Sequence, residues 1–130
     1  MRFCSLGSGS RGNATLVESA GCRVLVDNGF SLRELYRRLS AAGVEPDSID
    51  ALLLTHEHGD HVKGVRSFAR RHRVEVWTTP GTWRAVGAPT IPRLRLFSGQ
   101  GQAVRIDGVH IRSYPVPHDA REPCQFLFEA

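Results

Sequence analysis

"LLLTHEHGDHVKG", residues 52–64, sets three histidines, a glutamate and an aspartate within six positions behind an apolar run. Ala51–Thr55 reads as a short buried strand, because the apolar run follows the turn residues Asp47-Ser48. His56 and His58 sit at i and i+2 where that strand ends. Side chains alternate along a strand, so both imidazoles project to one side and can converge on one ion. Asp60 and His61 fall in the turn that opens the next helix, where the chain curls back over the same spot. They offer a carboxylate and a third imidazole to a second ion. This donor set suits Zn²⁺, and Mn²⁺ or Fe where carboxylate oxygens are richer. A solvated polar loop accounts for one histidine; it does not account for H-x-H-x-D-H at the end of a buried strand.

Around this stretch the pattern alternates between strands and helices. Met1–Leu6 is a predicted strand, followed by the polar loop SGSRGN. Ala14–Ser19 and Cys22–Asp27 form a predicted hairpin across Ala20-Gly21. Ser31 and Glu34 have the spacing of a capping box, with Glu34 reaching back. Leu32, Leu35, Tyr36, Leu39 and Ala42 follow at helical spacing, and Gly43 is the stop. Val62–Arg71 is a predicted helix, Val74–Thr78 a strand, and Thr79-Pro80 the start of a short helix. Leu94–Phe97, Ala103–Ile106, Val109–Tyr114 and Gln125–Glu129 are predicted strands. Asp107-Gly108 carries a type I′ turn signal. Such alternation predicts a layered α/β (α+β) domain.

The 130 residues suit one domain or part of a larger one, and the composition is that of an ordinary globular chain. The net charge of +4 is carried almost wholly by arginine, Lys63 being the single lysine, which permits an anionic substrate. No apolar run approaches the ~20 residues of a membrane span, and the N-terminus has no secretory apolar segment. Cys4, Cys22 and Cys124 make no C-x-x-C pair, and their odd count in a small chain argues against a disulfide framework, for a reducing, cytoplasmic setting, and for thiols acting as small buried hydrophobes. Trp77 and Trp83 read as core or pocket wall.

Thr55–His61, T-H-E-H-G-D-H, resembles the H-x-H-x-D-H signature of the metallo-β-lactamase superfamily. FCSLGSGSRGNATLVE, VDNGFSLRELYRRL and PHDAREPCQF together look like its YycJ/WalJ-type branch, similar to the superfamily's nucleases and phosphodiesterases. The resemblance runs over essentially all of residues 1–130. It implies a four-layer αβ/βα sandwich with two metals at one edge, of which this chain covers mainly the N-terminal part, incomplete at its C-terminus. By resemblance His56, His58 and His118 hold the first metal, and Asp60 and His61 the second. Asp60 would also orient a hydroxide shared by the two ions or take its proton. Asp27 resembles a buried aspartate that supports the histidine loop; the alternative is an ordinary turn aspartate. The family also uses a later bridging aspartate and a last histidine, and no residue after His118 supplies either.

The expected chemistry is hydrolysis of a phosphodiester, with DNA or RNA as the substrate. One alternative is a small-ester or thioester hydrolase of the glyoxalase II kind; another is a non-catalytic, metal-binding half-domain. Ser8, Ser10 and Asn13 in the glycine loop are candidate phosphate donors, or members of an ordinary turn. Arg66, Arg70 and Arg73 form a candidate nucleic-acid-binding stripe on the helix after the metal loop, or a solvated face. Metal identity, cutting polarity and oligomeric state are not written in this pattern.

Overall fold

A computed structural model of the chain describes residues 1–19, 21–97, 103–115 and 124–129. In chain order the elements are β1 (Arg2–Gly7), β2 (Ala14–Ser19), β3 (Cys22–Val26), α1 (Leu32–Ala41), β4 (Ala51–Leu53), α2 (Gly59–Val62) and α3 (Val65–His72). They continue with β5 (Glu75–Thr78), α4 (Pro80–Ala85), β6 (Leu94–Leu96), β7 (Ala103–Ile106), β8 (Val109–Pro115) and β9 (Cys124–Glu129). Strands β1 to β6 lie in sequence order in one sheet, and β7-β8-β9 form a second. β1, β2 and β3 are antiparallel hairpin neighbours; β3 through β6 run parallel.

Alternation along the strands divides the core in two. Leu16, Leu25, Leu52 and Val76 face one side, where they pack with Leu35 and Leu39 of α1 and Phe68 of α3. Val17, Val24, Ala51 and Leu53 face the other side and meet Ile106, Val109 and Ile111 of the second sheet. β4 is buried on both faces, which is why its run is apolar throughout. The chain therefore folds as three layers: helices, the large sheet, and the small sheet. Because β3, β4 and β5 are parallel, their C-terminal ends share one edge. In open α/β sheets, that edge is where ligands bind.

Several expectations hold in detail. Asp107 and Gly108 both have positive φ, as a type I′ turn requires. Thr79 caps α4 by accepting from the Thr82 amide, with Pro80 at the first position. Trp83 is buried in the helix-side core, and Trp77 packs partly buried against the other.

Others are corrected. The predicted helix over Val62–Arg71 is two helices, broken at Lys63-Gly64, because the Gly64 amide donates to the Asn28 carbonyl at 2.9 Å. The strand Ala51–Thr55 stops at Leu53, because the Thr55 amide leaves the ladder and donates to the Asp27 carboxylate. Only half of the capping box forms. Ser31 accepts from the Glu34 amide, but the Glu34 carboxylate turns to Arg37 and Arg38, and hydrogen bonding to Arg37 pulls its pKa down to about 2. Cys22 is buried as expected, and burial, with Asp50 and Asp107 nearby, pushes its thiol up to about 11; Cys4 is exposed instead. No helix among the described residues is long and apolar enough to cross a membrane.

Candidate metal centre

The centre begins at Asp27, the first residue past β3. It is 4% exposed and holds a left-handed backbone, φ 63°, which a non-glycine residue adopts only when its surroundings enforce it. The enforcement is visible. The Asp27 amide donates to the Leu53 carbonyl at 2.7 Å, and the side chain accepts three hydrogen bonds. Oδ1 takes the Thr55 amide at 2.8 Å; Oδ2 takes the Thr55 hydroxyl and His61 Nδ1, each at 2.7 Å.

Those bonds determine the imidazole tautomers. The single hydroxyl proton of Thr55 goes to Asp27, so the Thr55 oxygen accepts from His56 Nδ1–H at 2.8 Å. His61 gives its Nδ1–H to Asp27. In both rings Nε2 is left as the acceptor, the state in which imidazole ligates a metal. One buried carboxylate thus orients His61 directly and His56 through Thr55. The same bond, followed by the charges of Asp27 and Asp60, raises the His61 pKa above its ordinary value against the opposing effect of burial. A protonated imidazole cannot ligate, so a ligating His61 would make metal loading fall as pH drops.

The three rings crowd together. His56 and His58 are edge-to-face with centroids 4.7 Å apart, and His56 and His61 are 4.0 Å apart. His58 is the N-cap residue of α2, in extended conformation, so the helix begins immediately beyond it and brings Asp60 and His61 back over the strand end. Asp60 Oδ2 lies 3.7 Å from His61 Nε2, close enough for both to reach one ion. Donor atoms of Asp27, His56 and His61 all lie within 4.8 Å of one another. Both Asp27 oxygens already accept from Thr55 or His61, so we assign Asp27 to orientation rather than ligation. His61 Nε2 and the Asp60 carboxylate beside it are donor types that suit a divalent metal.

Of the remaining expected residues, His118 lies outside the described residues. Ser8 and Ser10 are exposed on the loop before β2, where a substrate can reach them. Asn13 directs its carboxamide to Gly9 and Asp60. Arg66 and Arg70 lie on α3 with Lys63 and Ser67 around a surface groove of about 420 Å³, and Arg70 Nε is fixed by the Thr90 carbonyl at 2.9 Å. Arg73 is not on the helix: it is the C-cap residue of α3, with φ 54°.

Three participants escaped the sequence reading. Thr55 is the link from Asp27 to His56. Asn28 accepts the Gly64 amide on its carbonyl and donates its own amide to the His61 carbonyl at 2.8 Å. Gly29 lets the Asp60 carbonyl approach. The available signal for all three was a place within two residues of Asp27 or the first histidine.

If Asp27 sets both imidazole tautomers, Asp27→Asn should lower divalent-metal affinity about 10- to 100-fold, the usual effect of losing such an orienting partner. The amide presents a donor where three donors already point. Competitive titration against a chromophoric chelator measures it, and affinity within a factor of two of wild type would remove Asp27 from this role.

A histidine–carboxylate cluster at the C-terminal edge of parallel strands, inside a helix–sheet–sheet sandwich, defines a metal-binding α/β class. The family model of the metallo-beta-lactamase superfamily matches residues 7–124, and the chain belongs to that superfamily. Among curated relatives it is 31% identical to the exodeoxyribonuclease WalJ of Streptococcus pneumoniae serotype 2 (strain D39 / NCTC 7466), over 98% of this chain and 49% of the relative. It is 32% identical to the exodeoxyribonuclease YycJ of Bacillus anthracis, over 98% of this chain and 50% of that one. These relatives are of the branch that the sequence resembles. Among solved structures, the Rm3 metallo-beta-lactamase superposes with a TM-score of 0.80 at 20% identity, covering 97% of this chain and 53% of that one, a likeness of fold. The chain spans about half the length of the curated relatives it matches. Membership implies a divalent metal, and the donor set described above is suited to one.

Proposed function

We propose that residues 1–130 are the N-terminal part of one metallo-β-lactamase-like domain of a metal-dependent phosphodiesterase, a nuclease acting on DNA or RNA. The observation that carries the reading is the Asp27–Thr55 network, which fixes Nδ1–H of His56 and of His61, with the Asp60 carboxylate 3.7 Å from His61 Nε2. The likeness to two exodeoxyribonucleases supports nucleic acid as the substrate. His56, His58 and His118 would hold one ion, and Asp60 and His61 a second. Zn²⁺ is the first candidate, with Mn²⁺ or Fe as alternatives. When bound, such ions activate water near neutral pH and offset charge on phosphoryl oxygens. Asp60 would orient the attacking water or accept its proton, while Asp27 would keep His56 and His61 aimed. The odd cysteine count supports a cytoplasmic setting.

The deciding experiment uses the full-length protein with bis-p-nitrophenyl phosphate, end-labelled DNA and RNA, and a thioester. Phosphodiester cleavage abolished by chelation is expected. Thioester cleavage alone would favour the glyoxalase II reading, and metal binding without turnover would favour a non-catalytic binding module.

The groove of Lys63, Arg66, Ser67 and Arg70 follows directly on the metal loop and suits a phosphate backbone. Removing one cation that neutralises a phosphate should reduce the salt slope of oligonucleotide binding by about 0.7–0.9. Arg66→Ala is therefore expected to flatten the slope by roughly that amount. Identical slopes for Arg66→Ala and wild type would leave this helix as a solvated face.

A further inference from the structure

We infer that Asn13 is a positioning residue for Asp60, so that the loop between β1 and β2 serves the metal centre from beneath. A carboxamide has two protons and an oxygen acceptor. Asn13 Oδ1 accepts from the Gly9 amide at 3.0 Å. Asn13 Nδ2 donates to the Gly9 carbonyl at 2.8 Å, and it also lies 3.0 Å from Asp60 Oδ2 and 3.1 Å from the Asp60 carbonyl. One proton goes to Gly9 and the other is shared by the two oxygens of Asp60. None remains for a phosphate.

The main chain repeats the attachment. The Asn13 amide donates to the Asp60 carbonyl at 2.7 Å, and the Asn13 carbonyl accepts from Gly29 at 3.0 Å. The loop, the β3 exit and the metal loop are thus clamped through one residue. The Asp60 side chain is one-third exposed and would otherwise sample several rotamers in water. An amide proton on Oδ2 selects the rotamer that keeps this carboxylate beside His61 Nε2, while leaving lone pairs on both oxygens for a cation. Removing the carboxamide leaves the main-chain bonds in place; it releases the Asp60 side chain and the two side-chain bonds to Gly9.

This inference rests on the metal-hydrolase reading, and the test separates the two. In the full-length protein, Zn²⁺ stoichiometry and stepwise affinity are measured by calorimetric titration for wild type, Asn13→Ala and Asn13→Asp. The second variant keeps the size and the acceptor for Gly9 but has no proton to give Asp60. Both are expected to weaken the more weakly held ion about 10- to 100-fold, to leave the tighter ion unchanged, and to lower kcat with KM kept. The decisive arm is the cycle with Asp60→Ala. In that background Asn13→Ala should cause no further drop in metal affinity, because the group it positions is gone. Effects that add in full, or equal weakening of both ions, would mean a general structural role and overturn the inference. Unchanged affinity in both Asn13 variants would also overturn it, while leaving the metal reading intact. If the wild type binds no metal at all, it is the metal reading that fails.

Discussion

Replacing His58 by alanine in the full-length protein is expected to remove most of one bound metal and lower phosphodiesterase turnover by more than about 100-fold. The bound is set by analogy: losing an orienting partner behind a ligand costs about 10- to 100-fold, and losing the ligand itself removes a bond to the ion rather than its alignment. The fold should survive the change. His58 is only half-buried, and it makes no side-chain hydrogen bond to cap α2, so alanine removes no cap. It does give up the edge-to-face packing on His56 at 4.7 Å, an aromatic pair worth about 0.5–1.5 kcal/mol at most. The metal-free variant should therefore melt within a few degrees of metal-free wild type. Two measurements separate the effects: metal content by elemental analysis, and melting of the metal-stripped proteins. Full metal content in His58→Ala would remove His58 from the ligand set, whatever happened to activity.

The histidine cluster was legible because its information is local. His56 and His58 lie three and five residues past the end of β4, so their closeness in sequence, not the strand's alternation, keeps them together, and Asp60 and His61 need only the following turn. The core was legible for the same reason: Leu52 and Leu53 face opposite sides by period alone. What the sequence hid is pairing at a distance. Asn13 and Asp60 are 47 positions apart, and their hydrogen bond exists because the β1–β2 loop lies beneath the metal loop. Read alone, SGSRGN is a turn with donors, and its asparagine looks available to a ligand. The break at Gly64 was hidden similarly. Val62 and Val65 continue a helical stripe, and only the Asn28 carbonyl, brought in from after β3, takes the Gly64 amide. The Arg73 miss is of another kind. The helical period ran on to a residue that in fact terminates the helix in a left-handed conformation, a position more often filled by glycine.

Gly29→Ala should be among the most damaging single changes in residues 1–130. The reason is space. A Cβ at Gly29 would lie 1.8 Å from the Asp60 carbonyl oxygen and 2.3 Å from its carbon, and 3.0 Å from the Asn13 amide nitrogen. These are backbone atoms, so no rotamer change relieves the overlap; a chain segment must move. The Asp60 carbonyl also accepts the Asn13 amide at 2.7 Å, and Gly29 donates to Asn13 at 3.0 Å. Displacing any of the three segments breaks bonds in the other two. Overpacking a well-filled site costs about 1–3 kcal/mol, and each buried hydrogen bond left unmade adds about 1–3 kcal/mol. A destabilisation above about 3 kcal/mol is expected, or roughly 10 °C in the melting temperature of a 150–250-residue protein. Metal affinity should fall with it, since the segment pushed aside carries Asp60. Gly59→Ala is the control. It lies in the metal loop too, yet a Cβ there meets nothing within 4 Å, so its stability should stay within about 0.5 kcal/mol of wild type. Chemical denaturation of the two variants side by side reads the difference. If Gly29→Ala unfolds at the same denaturant concentration as Gly59→Ala, the β3 exit does not press against the metal loop, and the clamp through Asn13 fails with it.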